Sequence, residues 1–130
     1  MRPIALTLAL SLSAFSAVTL GAEHTKDSLD VVKKRIAAGE AVLVDVREQA
    51  EWNEAHVEGA QFVPLSALRD PAKRKEAAAK LPKDKVLYCH CRSGRRALVA
   101  AGVLKEMGYK AEALKPGLQQ LLDAGFTKAK

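Results

Sequence analysis

The feature that most constrains this chain is a cysteine lodged between a strand and a helix. Val86-Leu87-Tyr88-Cys89-His90 is a short apolar, β-rich run that reads as a buried strand. From Ala97 to Met107 the sequence is apolar over a length that reads as a buried helix. Between them lies Cys91-Arg92-Ser93-Gly94-Arg95-Arg96, so the thiol sits where a strand ends and a helix is about to start. The first turn of a helix presents unpaired N–H groups and the positive end of its dipole, and both favour an anion. Arg92, Arg95 and Arg96 place positive charge beside the same thiol. Each effect favours thiolate over thiol, and the thiolate is the reactive form. Gly94 suits a backbone that turns tightly around an anion. Cys91 is therefore read as a nucleophile, with Arg92, Ser93, Gly94, Arg95 and Arg96 as the loop that binds its anionic substrate.

The rest of the chain alternates strands and helices. A helix is expected from Asp27, capped by Thr25 or Asp27, with Leu29, Val32 and Ile36 on one face, Lys33 and Lys34 on the other, and Gly39 ending it. Ala41 to Asp45 reads as a buried strand ending in a carboxylate. Glu48 to His56 reads as a short polar helix anchored by Trp52, and Gln61 to Val63 as a brief strand after the break at Gly59. Pro64 to Leu81 is rich in Ala and Lys and should hold one or two surface helices, the second starting at Asp70-Pro71 and stopped by Pro82. Lys85 to His90 is the central strand. Tyr109 to Leu114 is the last strand, and Leu118, Leu121 and Leu122 face inward on a final helix. This order predicts an α/β domain, a mostly parallel sheet of four to five strands with helices on both faces. Ligands of such sheets bind at the carboxyl ends of the strands, where Cys91 and Asp45 both fall.

Met1 to about Ala22 reads as a separate segment. Arg2 precedes an apolar run from Ile4 to Leu20, and Leu20-Gly21-Ala22 supplies a small-residue cleavage site, the pattern of a secretory signal peptide. The run is at the short limit for a spanning helix, so cleavage is expected rather than a stable membrane anchor. The mature chain, residues 23–130, is expected to work as a monomer in a bacterial periplasm. Its size fits one domain. The formal charge of +6 raises the question of nucleic acid. The basic residues, however, are spread over Lys33-Lys34-Arg35, Lys73-Arg74-Lys75, Lys128 and Lys130, and aromatics make up 5%. Solvated helix faces explain them without a nucleic-acid partner.

Several motifs in order carry a family likeness. Val44-Asp45-Val46-Arg47-Glu48, then Glu51-Trp52, then His56-Val57-Glu58-Gly59-Ala60 and Pro64, followed by Cys91, Gly94 and Arg96, resemble a single-domain rhodanese from about Ser28 to Phe126. With the leader, the chain is similar to the small periplasmic members. The resemblance implies a rhodanese-like fold and a thiosulfate sulfurtransferase. Cys91 would take the outer sulfur of thiosulfate as a persulfide, sulfite would leave, and cyanide or a thiol would accept the sulfur. By position, Arg92 to Arg96 match the family's active-site loop. Basic loop residues resemble those of the thiosulfate users, and the spacing of Cys91 and Arg96 is one residue shorter than in the phosphatase-like relatives. No general base is required when neighbouring charge activates the sulfur.

Other readings of the same residues stay in view. Cys89 is expected to be a buried strand cysteine. Positions i and i+2 of a strand lie roughly 6.6–7.2 Å apart, at or beyond a disulfide's usual reach. Cys89, His90 and Cys91 lack a fourth ligand, so no metal and no cofactor are expected. His56 and His90 are read as satisfied packing residues, Trp52 as core, and Asp45 with Arg47 as a charge pair bracing the sheet edge. Two alternatives to sulfur transfer are a non-catalytic binding module on the same fold and a thiol oxidoreductase using Cys89 and Cys91.

Overall fold

The computed structural model describes residues 23–130, and the expected leader, residues 1–22, lies outside them. Among the described residues four strands form one sheet: β1 (Ala41–Asp45), β2 (Gln61–Phe62), β3 (Val86–His90) and β4 (Lys110–Ala113). All pair in parallel, in the order β2-β1-β3-β4. Strand β3 is thus interior, with Asp45 of β1 in register beside His90 and Ala113 of β4 beside Cys89.

Alternation along the strands sorts the core into two layers. Ala41, Leu43 and Tyr88 pack with Val32 of α1 (Leu29–Ala37) and Leu121 of α6 (Leu118–Asp123). Val44, Leu87, Cys89 and Cys91 face the other way, into the layer built by α3 (Leu65–Arg69), α4 (Arg74–Ala77) and α5 (Arg95–Glu106). Helices therefore cover both faces, as the alternating pattern predicts. The apolar side of α5 is made of small residues, Ala97, Ala100 and Ala101, with Leu104, which lets the helix lie close on the sheet. Leu118, Leu121 and Leu122 all turn to the first layer.

Local departures from the sequence expectation have identifiable causes. Helix α1 is capped by Ser28, whose hydroxyl accepts from the Val31 N–H at 3.2 Å, and not by Thr25 or Asp27. Asp27 is committed elsewhere, because its carboxylate accepts from the Tyr88 hydroxyl at 2.6 Å and from Arg35 at 3.2 Å. Gly39 ends the helix as expected. At φ 75° it allows the Gly39 and Glu40 N–H groups to reach the Ile36 and Arg35 carbonyls, which closes the last turn. Asp70-Pro71 opens a turn rather than a helix: Asp70 accepts from the Ala72 N–H at 2.9 Å, and α4 begins only at Arg74. That helix ends at Ala77, before Pro82 can act as its stop. Helix α3 lies at the surface as expected, with Ser66 and Arg69 exposed and Leu65 and Leu68 buried beneath it.

Candidate active site

The carboxyl ends of β1, β3 and β4 converge on the loop that follows β3. Cys91 leaves β3 on the face toward α5, and its sulfur accepts from the Gly94 N–H at 3.1 Å and from the Ala97 N–H at 3.4 Å. Gly94 occupies the N-cap of α5 but has no side chain with which to cap it. The Cys91 sulfur takes over that task, satisfying a donor in the first turn of a 12-residue helix. Gly94 itself is left-handed, at φ 87°, and a Cβ there would lie 2.7 Å from His24 Nε2 and 3.0 Å from the Lys115 backbone. Glycine is required at this position by conformation and by space.

Cys91 has no exposed surface in this conformation. Its sulfur is closed over by the loop it starts, and the turn Lys115-Pro116-Gly117 after β4 packs against the outside of that loop. A Cβ on Gly117 would come within 2.1 Å of the Arg92 carbonyl oxygen and 3.3 Å of the Cys91 carbonyl oxygen. This turn was not anticipated from sequence; its signal is the Lys-Pro-Gly triplet directly after the last strand, at the same sheet edge as Cys91.

The loop arginines diverge. Arg92 is exposed and lines two clefts. One, of about 340 Å³, is shared with Ser93, Lys115 and Gln120. The other, of about 730 Å³, is shared with Arg47, Glu54 and the start of α6. Arg95 is exposed. Arg96 is turned instead to α2 (Gln49–Glu54), where its guanidinium donates to both Glu51 oxygens, at 2.6 and 2.9 Å. The Arg96 bond holds the Glu51 carboxyl down at about 2, and Glu51 in turn raises Arg96. Of the three arginines expected beside the thiol, Arg96 has its charge matched by a carboxylate. Lys115 joins Arg92 in the smaller cleft.

Asp45 and Arg47 form the brace that the sequence suggests. Both are buried, Arg47 Nε and Nη2 donate to the Asp45 carboxylate, the shortest contact being 2.7 Å, and Nη2 also donates to the Ala55 carbonyl at 2.7 Å. His90 is buried beside this pair with Nε2 3.6 Å from Asp45, but neither ring nitrogen has a hydrogen-bond partner among the described residues. The expectation of a satisfied histidine therefore fails for His90, although it holds for His56, whose Nδ1 contacts the Trp52 carbonyl at 2.9 Å. Burial pushes the His90 pKa down. Trp52 is half-buried and stacks on His56 with ring centroids 3.6 Å apart. Cys89 is a free, fully buried strand cysteine, and burial pushes its thiol up to about 12.

Residues 28–125 match the Rhodanese-like domain family. The probable adenylyltransferase/sulfurtransferase MoeZ of Mycobacterium tuberculosis is 32% identical over 91 residues, covering 70% of this chain. This chain spans only 21% of the length of that relative. Human thiosulfate:glutathione sulfurtransferase is 32% identical over 90 residues, covering 63% of this chain and 78% of the relative. Among solved structures, the human single-domain sulfurtransferase TSTD1 superposes with a TM-score of 0.62 at 28% identity, covering 75% of this chain and 94% of that one. A parallel four-stranded sheet with helices on both faces, a cysteine at the carboxyl end of an interior strand, and a family match spanning that whole unit lead to one conclusion: the chain belongs to the rhodanese-like domain family.

Proposed function

We propose that this protein is a sulfurtransferase that carries a sulfane sulfur from thiosulfate to a thiol or cyanide as a persulfide on Cys91. The observation that carries this reading is the pair of backbone N–H groups, from Gly94 and Ala97, aimed at the Cys91 sulfur at the N-terminus of α5. Donors fixed in that way stabilise a negative sulfur, each at a level of roughly 3 kcal/mol in comparable oxyanion sites. The Cys91 thiolate attacks the outer sulfur of thiosulfate, the S–S bond of the donor breaks, and sulfite leaves with the electron pair. An acceptor thiolate or cyanide then attacks the outer sulfur of the persulfide and the Cys91 thiolate is regenerated. Arg92 and Lys115, together in the smaller cleft, match a dianionic donor. The relatives named as sulfurtransferases support the same chemistry. Because Cys91 is covered, thiosulfate reaches it when the groups over the sulfur move aside while the Gly94 and Ala97 N–H groups stay on it.

Leader cleavage near Ala22, a periplasmic location and a monomeric state belong to the same proposal. Cys89 takes no part in it: a thiol held up at about 12 is a poor nucleophile at neutral pH, which disfavours a Cys89/Cys91 oxidoreductase. The covered Cys91 favours one competing reading, a binding module without turnover. Mass spectrometry after exposure to thiosulfate separates them. Sulfur transfer predicts a gain of about 32 mass units on Cys91, the persulfide adduct, lost on adding cyanide and absent in Cys91→Ser. No gain in the wild-type chain, with thiosulfate still bound, supports the binding module.

A further inference from the structure

The segment ahead of α1 reaches back over the active-site loop. His24 makes a parallel bridge with Ala113 at the end of β4, and the Thr25 N–H donates to the Ala113 carbonyl at 2.8 Å. Three residues on, Asp27 is tied to Tyr88 and Arg35, and Arg35 also donates to the Tyr88 hydroxyl at 2.9 Å. Residues 24–27 are thus a strap held on the sheet at both ends. From it, His24 Nε2 lies 2.8 Å from the carbonyl oxygen of Gly94, 70 residues away in sequence.

Gly94 is pinned from both sides. Its N–H, in the peptide with Ser93, points at the Cys91 sulfur, and its carbonyl, in the peptide with Arg95, meets His24. Glycine has the widest conformational freedom of any residue, so its neighbours' bonds rather than its own sterics narrow it to φ 87°, ψ −13°. The remaining bond to that carbonyl, from the Leu98 N–H at 3.3 Å, is long. We propose that His24 is a positioning residue for sulfur transfer: by donating Nε2–H to the Gly94 carbonyl it holds the peptide that follows Gly94 and so restricts the Gly94 backbone, which keeps the preceding peptide turned with its N–H on the Cys91 sulfur. The imidazolium and one neutral tautomer both carry this proton, so the bond forms in either charge state. The inference rests on the sulfurtransferase reading and adds to it a residue that lies ahead of the span matched by the family.

The test measures single-turnover persulfide formation on the wild-type chain, His24→Ala and His24→Gln, by mass spectrometry across a range of thiosulfate concentrations. Gln carries an amide N–H donor at a comparable reach. The expected result is a maximal rate roughly tenfold lower in His24→Ala, the loss of one positioned hydrogen bond, and recovery of most of it in His24→Gln. Half-saturation by thiosulfate stays at the wild-type value, because Arg92 and Lys115 are untouched, and the thermal midpoint stays unchanged because Thr25 and Asp27 still hold the strap. A wild-type rate in His24→Ala, a Gln variant no faster than the Ala variant, or rate, half-saturation and midpoint deteriorating together would overturn the proposal. A wild-type chain that forms no adduct fails earlier, at the sulfurtransferase reading, and takes the proposal with it.

Discussion

At the scale of single residues, the site separates two reasons for a glycine. Gly94 is needed for its left-handed φ as well as for space, whereas Gly117 has an ordinary extended backbone (φ −91°, ψ −174°) and is needed only because the Arg92 carbonyl oxygen is so close. Gly117→Ala should cost about 1–3 kcal/mol by overpacking, read from denaturant unfolding, and should displace the loop that covers Cys91. His90 makes a different prediction. Burial keeps it neutral in the folded chain, while the unfolded chain takes up a proton as pH falls through about 6.5. The stability His90 contributes is therefore complete above that value and is lost as pH falls below it toward the depressed folded pKa. His90→Phe removes two nitrogens that have no partners among the described residues, so it should change stability at neutral pH by less than about 1.5 kcal/mol and flatten the decline that sets in below about pH 6.5. An unchanged pH slope in that variant would place the decline elsewhere. The Asp45–Arg47 brace was legible in the sequence because alternation places i and i+2 on one side of an extended chain. The orphaned nitrogens of His90 were not, because they depend on how Arg47 occupies the Asp45 carboxylate.

At the scale of elements, α2 and α5 are clasped by Glu51 and Arg96. The Arg96 bond holds the Glu51 pKa at about 2, against an ordinary 4.5. The clasp thus stabilises fully above about pH 4.5 and its contribution disappears as pH falls through 2. Both side chains are near one-third exposed, at 30% and 31%, so the contribution is that of a largely solvated pair, about 0.2–1 kcal/mol. Glu51→Gln should lower the neutral-pH midpoint modestly and make acid unfolding less steep, measured by circular dichroism across that window. Strand β3, the loop and helix α5 were legible because hydrophobic period switches at the cysteine. The start of α4 and the cap of α1 were not. Tyr88 claims the Asp27 carboxylate from 61 residues away, and no local pattern announces that contact.

At the scale of the whole molecule, the two cysteines sit on one face of the same strand line but under different cover. Cys89 lies within β3, paired on both sides by β1 and β4, whereas Cys91 lies just past the strand under a loop. Exposing Cys91 requires a local opening, and exposing Cys89 requires the sheet to come apart. Alkylation of the native protein, followed by mass spectrometry, should modify Cys91 first, and Cys89 only near the denaturant concentration that unfolds the chain. Equal rates for both would mean that the loop has no independent motion. The parallel order and two-sided cover were legible from alternating elements. The convergence of residues 24, 94 and 115–117 was not, because it arises only when β4 takes its place beside β3.

Because the stretch from residue 24 to residue 27 precedes the matched span of 28–125, where the chain is cut matters. A recombinant fragment trimmed to the family boundaries would keep every strand, yet it would deprive the Tyr88 hydroxyl of its acceptor and leave the Gly94 carbonyl without its His24 donor. Such a fragment should look intact by secondary structure and yet be a slow catalyst, and its sluggishness would come from the truncation, not from the protein.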